Sequence, residues 1–127
     1  MSTYNVEKLL APRSVALVGA SPRPGSLGRA ILGNLRGAGF TGPIGVVNPR
    51  YAEIDGVKAV TTLAKLPFVP DLVVITAPAT AIPGIIEEAG RKGAAGAIII
   101  SAGLGHGKGS LAEQTEQAAR RHRMRLI

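Results

Sequence analysis

The chain has 127 residues, which is enough for one domain of ordinary size and too few for a typical two-domain enzyme. Its 46% of hydrophobic and 18% of charged residues exclude an intrinsically disordered chain, and the absence of cysteine excludes disulfides, thiolate nucleophiles and cysteine-ligated metal sites. A formal net charge of +7 favours an anionic ligand, but the aromatic residues that stack on nucleic-acid bases are scarce, at 3%.

The sequence shows no membrane or export signal. No apolar run approaches the ~18 residues of a membrane-spanning helix, and the start MSTYNVEKLLAPRS lacks the apolar core of a signal peptide. We therefore expect a cytoplasmic protein that does not bind a membrane. Because aromatic residues are scarce, we also expect it not to bind nucleic acid.

Five short segments rich in valine and isoleucine are predicted to be strands covered on both faces, because their apolar residues follow one another with little alternation. They are SVALVG from Ser14, PIGVVN from Pro43, LVVIT from Leu72, GAIIIS from Gly96 and MRLI from Met124. Their starts lie 24 to 29 residues apart, which is close to the length of a βαβ unit.

Helices are predicted between the strands wherever apolar residues recur at helical spacing. The three stripes contain Leu27, Ile31 and Leu35; Ile82, Ile85, Ile86 and Ala89; and Leu111, Thr115, Ala118 and Ala119. Thr80 is a start signal for the second helix, and Ser110 with Glu113 forms a capping-box pattern for the third. The link from Pro49 to Asp71 has weaker signals, with one helical turn predicted over Leu63 to Lys65.

This alternation predicts an α/β fold, Rossmann-like and doubly wound, with a mostly parallel five-stranded sheet and helices on both faces. Ligands of such sheets bind at the carboxyl ends of the strands. The last strand reaches Ile127, where the pattern calls for further structure. Residues 1–127 are therefore expected to be a single domain, the N-terminal fragment of a longer multidomain protein.

The turn after the first strand is predicted to bind phosphate. Glycine allows close backbone approach, and the start of a helix offers amides and a positive dipole to an anion. The residues concerned are Gly19, Ala20, Ser21, Gly25, Ser26 and Gly28. Ser21 and Pro24 depart from the G-x-G-x-x-G dinucleotide fingerprint, and no Walker sequence is present.

The second strand ends at Asn48, Pro49 and Arg50, where NAD-binding domains commonly carry an acidic residue. An arginine here suits an additional phosphate, either the 2′-phosphate of NADP or the 3′-phosphate of coenzyme A. A solvated surface arginine is the alternative interpretation of Arg50.

The third and fourth strands end in loops that could lie over the same ligand. Ala77, Pro78 and Ala79 turn the chain with little bulk, and Ser101 and Gly103 begin a glycine-rich loop. Short structural connections are the alternative in both places. His106 and His122 are given no catalytic or metal-binding role, because neither has a carboxylate at a suitable sequence spacing.

These turns resemble the CoA-binding domain of NDP-forming acyl-CoA synthetases, the superfamily of the succinyl-CoA synthetase α-subunit. The resemblance spans residues 6–127 and is carried by LLAPRSVALVGASPRPGSLGRAILGNL, VVNPR, APA and IIISAGL. It implies that the glycine loop, Asn48 with Pro49, residues 77–79, and Ser101 with Gly103 surround coenzyme A. The same domain is also found in bacterial protein lysine acetyltransferases that carry a synthetase-like region.

The expected function is that of the CoA-binding domain of an ADP-forming acyl-CoA synthetase, with ATP, ADP and Mg²⁺ held by other domains. Three alternatives stay open: a regulatory region of a lysine acetyltransferase, an NADP-binding domain of an oxidoreductase, and a stand-alone CoA-responsive module. If the chain is a synthetase domain, it is expected to be catalytically inactive by itself, since it has no Walker loop, no cysteine and no histidine paired with a carboxylate.

Overall fold

A central sheet carries helices on both sides in the computed structural model, which describes residues 7–8, 11–19, 26–100 and 103–127. The strands are β1 (Val15–Val18), β2 (Ile44–Val47), β3 (Glu53–Ile54), β4 (Val57–Val60), β5 (Leu72–Ile75), β6 (Gly96–Ile99) and β7 (Arg125–Leu126). The helices are α1 (Leu27–Gly37), α2 (Ile82–Lys92) and α3 (Leu111–Arg121), and short 3₁₀ helices cover Leu63–Lys65 and Ala79–Ala81.

The described strands are ordered β3-β4-β2-β1-β5-β6-β7, and every neighbouring pair is parallel except β3 and β4. In the centre, Val18 of β1 is in register with Val47 of β2 and Ile75 of β5. From β1 the chain continues to β2, which pairs with one edge of β1. It later returns to form β5, which pairs with the other edge of β1. The strand order therefore reverses at β1, and a crevice forms there at the carboxyl ends.

The predicted α/β, doubly wound fold is confirmed, and all five predicted strands are present. The predicted number of strands was two too low, because the link after Pro49 contains the hairpin β3–β4. Asp55 and Gly56 connect its strands with φ of +49° and +82°, the backbone of a tight hairpin turn that Asp-Gly favours. The predicted helical turn at Leu63–Lys65 is confirmed as a 3₁₀ helix.

The helix starts follow the sequence signals in one case and depart from them in another. The Ser110 hydroxyl accepts from the amide of Glu113 at 3.1 Å, and the Glu113 carboxylate accepts from the amide of Gly109 at 2.9 Å. Thr80 was wrong as a start signal, because it lies within the 3₁₀ helix before α2, which begins at Ile82 with proline in its first turn. Among the described residues, no helix is long and apolar enough to cross a membrane.

Alternate residues of the sheet build two cores. Val15 and Leu17 of β1 pack on the side that carries α1, where Leu32 is fully buried. Ala16 and Val18 belong to the core on the opposite side, beneath α2 and α3. The strands are thus buried on both faces, which explains their continuous apolar runs.

Candidate functional site

A cavity of about 530 Å³ opens at the carboxyl ends of β1, β2, β4 and β5, at the point where the strand order reverses. Four strand ends and one helix contribute to its wall. The lining residues are Val18, Gly19, Val47, Asn48, Pro49, Arg50, Tyr51, Thr61, Thr62, Leu63, Thr76, Ala77 and Pro78, with Ala81, Ile85 and Glu88 from the region of α2. Six of the predicted site residues are therefore brought together: Gly19, Asn48, Pro49, Arg50, Ala77 and Pro78.

Gly19 lines the cavity, but its own amide is used by the sheet. That amide donates to the carbonyl of Val47 at 3.1 Å, and the backbone φ is +92°. A Cβ placed on Gly19 would lie 2.9 Å from Thr76 Oγ1 and 3.1 Å from the amide nitrogen of Ala77. Glycine is required here because the chain after β5 passes so closely, a reason that the sequence interpretation did not include.

The start of α1 places Ser26 as the N-cap residue. Its backbone is extended, and its hydroxyl oxygen accepts from the amide of Arg29 at 3.3 Å. Gly28 is buried in the first turn of α1. Neither Ser26 nor Gly28 is among the cavity-lining residues. The predicted site residues Ala20, Ser21 and Gly25 lie outside the described residues, as does Ser101.

The end of β2 turns sharply at Asn48. This residue is buried, its Oδ1 accepts from the amide of Arg50 at 2.8 Å, and its amide donates to the carbonyl of Val60 at 2.9 Å. A turn closed by a side-chain oxygen in this way holds the backbone in one conformation outside the helices and strands. It leaves Arg50 exposed beside the cavity, with no acidic partner among the described residues.

The chain after β5 forms the opposite wall. The Thr76 hydroxyl donates to the carbonyl of Val18 at 3.3 Å, and Ala77 and Pro78 follow along the cavity. The predicted site residues Ala79 and Gly103 lie next to each other, because a Cβ on Gly103 would be 3.8 Å from that of Ala79. Both lie outside the cavity lining.

The sequence interpretation missed two parts of the wall. Thr61 and Thr62 follow β4, the strand that had not been predicted. Ile85 and Glu88 lie three residues apart on the face of α2 that borders the cavity. The Asp-Gly hairpin signal would have revealed the first part, whereas the second depends on how α2 packs.

A charged cluster joins α2 to α3 away from the cavity lining. His122 Nε2 lies 3.0 Å from Glu87 Oε1, and Arg121 also pairs with Glu87 at 3.1 Å. The hydrogen bond with His122 lowers the pKa of Glu87, burial opposes this effect, and Arg121 lowers the pKa further. Sequence spacing gave His122 no carboxylate partner, but the packing of the helices brings Glu87, 35 residues away in sequence, to its ring.

The His122 ring lies against Gly90, where a Cβ would come within 2.3 Å of it. The pair of His122 and Glu87 therefore belongs to the contact between helices. His106 is exposed in the glycine-rich loop. The part of the chain that the structure describes contains no group of three histidine, aspartate or glutamate residues placed to hold a metal ion.

Comparison with known proteins identifies the family. The sequence model of the family described as "CoA binding domain" matches residues 13–127. The chain is 38% identical over 125 residues to acetate–CoA ligase [ADP-forming] I of Archaeoglobus fulgidus, covering 96% of this chain and 18% of the relative. It is 37% identical over 131 residues to the α-subunit of acetate–CoA ligase [ADP-forming] I of Pyrococcus furiosus, covering 97% of this chain and 28% of that subunit.

Among solved structures, the apo form of the dinucleotide forming acetyl-coenzyme A synthetase 1 of Ca. Korarchaeum cryptofilum matches with a TM-score of 0.88 and 32% identity. The match covers 96% of this chain and 27% of that chain. The chain thus spans less than a third of the length of each of these proteins.

Proposed function

The chain belongs to the CoA-binding domain family, and we propose that it supplies the coenzyme A site of an ADP-forming acyl-CoA synthetase. The observation that carries this proposal is the cavity at the reversal of strand order, which lies within the segment that the family model matches. Nucleotide-containing ligands of doubly wound sheets bind in this position. The mostly apolar wall with one exposed arginine fits a long ligand that ends in phosphates.

The proposed task of this chain is to bind and orient coenzyme A. Bound coenzyme A supplies the thiol that replaces the phosphate of an acyl phosphate and so becomes the thioester. Asn48 holds the turn beside the cavity, and Gly19 allows the chains after β1 and β5 to approach closely. Holding the ligand in one orientation lowers the entropic cost of the later reaction. ATP, ADP and Mg²⁺ belong to other domains of the proposed parent protein, whose location we propose to be the cytoplasm.

Arg50 is proposed to recognise the phosphate on the ribose of coenzyme A. A charge-assisted hydrogen bond contributes about 1.5–3 kcal/mol, so Arg50→Ala is expected to weaken coenzyme A binding about tenfold or more. Dephospho-coenzyme A lacks that phosphate, and its affinity should change little. Calorimetric titration of both ligands measures the difference.

Arg120→Ala is the matched control, because Arg120 is exposed on α3 outside the cavity lining and its loss changes the net charge equally. This control should leave both affinities unchanged. If Arg50→Ala weakened the binding of both ligands equally, the arginine would contact a part that the two ligands share. If it weakened neither, Arg50 would be a solvated surface residue with no role in binding.

The activity of the parent is tested with the full-length protein. We expect it to form acyl-CoA, ADP and inorganic phosphate from ATP, coenzyme A and a short carboxylic acid, with Mg²⁺ present. Residues 1–127 alone should remain at background in the same assay. Transfer of acetyl groups to protein lysines without acyl-CoA synthesis would instead support the acetyltransferase reading, and a gene that ends near residue 127 would support a stand-alone module.

A further inference from the structure

An apolar groove of about 370 Å³ lies beside α1, on the side of the sheet opposite α2 and α3. Ile31 and Leu35 of α1 form one wall, and Val74, Ile98 and Ile100 from the ends of β5 and β6 belong to its floor. Every described residue that lines the groove is apolar, and none of them lines the coenzyme A cavity. The groove is therefore a second surface feature of the domain.

The two faces of the sheet are covered unequally. Beneath α2 and α3, Ala97 of β6 is fully buried. On the other face, α1 is the one helix among the described residues, and it packs over β1 through Leu32. The part of this face that belongs to β6 is left open, and Ile100 is 38% exposed. Parallel sheets normally have both faces covered, so this part of the sheet lacks a cover.

The open apolar surface continues to Ile127. The register of β6 and β7 places Ile127 beside Ile98, and the Ile127 amide donates to the carbonyl of Ala97 at 2.9 Å. Leu126 packs in the core beneath α2 and α3, and side chains alternate along a strand, so Ile127 lies on the open face. Its exposed fraction is 69%. We call Ile98, Ile100 and Ile127 the isoleucine strip.

A helix is the occupant that this surface fits. A helix beside α1 would complete its layer, as α2 and α3 together complete the layer on the opposite face. A second copy of this chain is disfavoured as the source, because each copy carries a formal net charge of +7. The relatives described above are more than three times as long as the segment that matches this chain, so a synthetase of that length has other domains that can supply the helix.

We propose that the isoleucine strip is the docking surface for the apolar face of an amphipathic helix from another domain of the parent protein. The proposal rests on the proposed function, in which this chain is one domain of a longer synthetase. Since β6 ends at the same edge of the sheet as the strands around the cavity, docking here holds bound coenzyme A at a fixed position relative to that domain.

The test is the rate at which a maleimide labels a cysteine placed in the strip. The chain has no cysteine of its own, so Ile100→Cys introduces a single thiol into it. We expect this thiol to react about tenfold or more slowly in the full-length protein than in residues 1–127 alone, because labelling must wait for the helix to leave. Mass spectrometry of the peptide that contains residue 100 measures both rates.

Val69→Cys is the matched control, because Val69 is 51% exposed and lies outside the groove. This thiol should react at similar rates in the two proteins. Equal rates for Ile100→Cys in the two proteins would overturn the proposal, and so would equal slowing at both positions. A rate for Ile100→Cys that falls as residues 1–127 are concentrated would assign the strip to a second copy instead. A gene that ends near residue 127 would also overturn the proposal.

Ile127→Asp tests whether the helix lies on the strip itself. Added to full-length Ile100→Cys, it places a charge in the proposed contact and should return labelling to nearly the rate of residues 1–127. Labelling that stays slow would show that residue 100 is covered from another direction, which contradicts the proposal. Val69→Asp adds the same charge outside the strip and should leave the slow rate unchanged.

Calorimetric titration of this chain with coenzyme A separates the inference from the proposed function. If the chain does not bind coenzyme A, the proposed function fails, whatever the labelling rates are. If it binds and Ile100→Cys reacts equally fast in both proteins, only the docking surface fails.

Discussion

Gly19→Val is expected to reduce coenzyme A affinity at least tenfold and to lower the free energy of unfolding by about 2–5 kcal/mol. The left-handed backbone at φ +92° costs a side chain about 1–2 kcal/mol, and insertion beside Thr76 and Ala77 adds an overpacking cost of about 1–3 kcal/mol. The displaced chains after β1 and β5 both line the cavity. Urea unfolding and calorimetric titration measure the two effects.

Gly107→Val is the control for backbone strain alone. Gly107 has φ of +88°, and a Cβ there meets no atom within 4 Å. We expect Gly107→Val to lower the free energy of unfolding only by the cost of the left-handed backbone, about 1–2 kcal/mol, and to leave the affinity for coenzyme A unchanged. If Gly19→Val were as stable as Gly107→Val and bound coenzyme A normally, the close approach after β1 would have no role in the site.

Gly42→Ala is expected to lower the free energy of unfolding by about 3 kcal/mol or more, because a Cβ there would lie 1.9 Å from the backbone carbonyl oxygen of Arg13. The two chains lead into β2 and β1, so relief of the clash must separate central strands. Urea unfolding measures the change.

Gly33→Ala makes the same chemical change but is expected to raise the free energy of unfolding. Gly33 lies inside α1, its Cβ would meet nothing within 4 Å, and alanine favours the helix by about 0.5–1 kcal/mol. An equal response of the two variants would contradict the packing described at Gly42.

The sequence predicted the central strands because their burial on both faces requires uninterrupted apolar residues. β1 and β5 are fully buried runs of this kind, and each lies within its predicted segment, whose ends differ from those of the strand by at most one residue. β3 and β4 were not predicted, since β3 has only two residues and β4 interrupts its apolar residues with Lys58. Their pairing depends on the turn at Asp55 and Gly56, a local signal that the interpretation did not use.

Part of the cavity wall was predictable, because it follows strands that had been found. Asn48 and Pro78 lie in the cavity because parallel strands end at one edge. The contribution of Glu88 could not be predicted, because a carboxylate on an amphipathic helix is usually solvated and only the packing of α2 brings it to Leu63. Ser26 was predicted as part of the phosphate-binding turn, and its hydroxyl oxygen accepts from the amide of Arg29 as the N-cap of α1.

The most direct measurement of the central claim is calorimetric titration of this chain with coenzyme A, NADP and NAD under identical conditions. The account predicts that coenzyme A binds and that both dinucleotides bind more weakly, because the glycine loop departs from the dinucleotide fingerprint. NAD is disfavoured further because the second strand ends without an acidic residue. Stronger binding of NADP or NAD than of coenzyme A would contradict it.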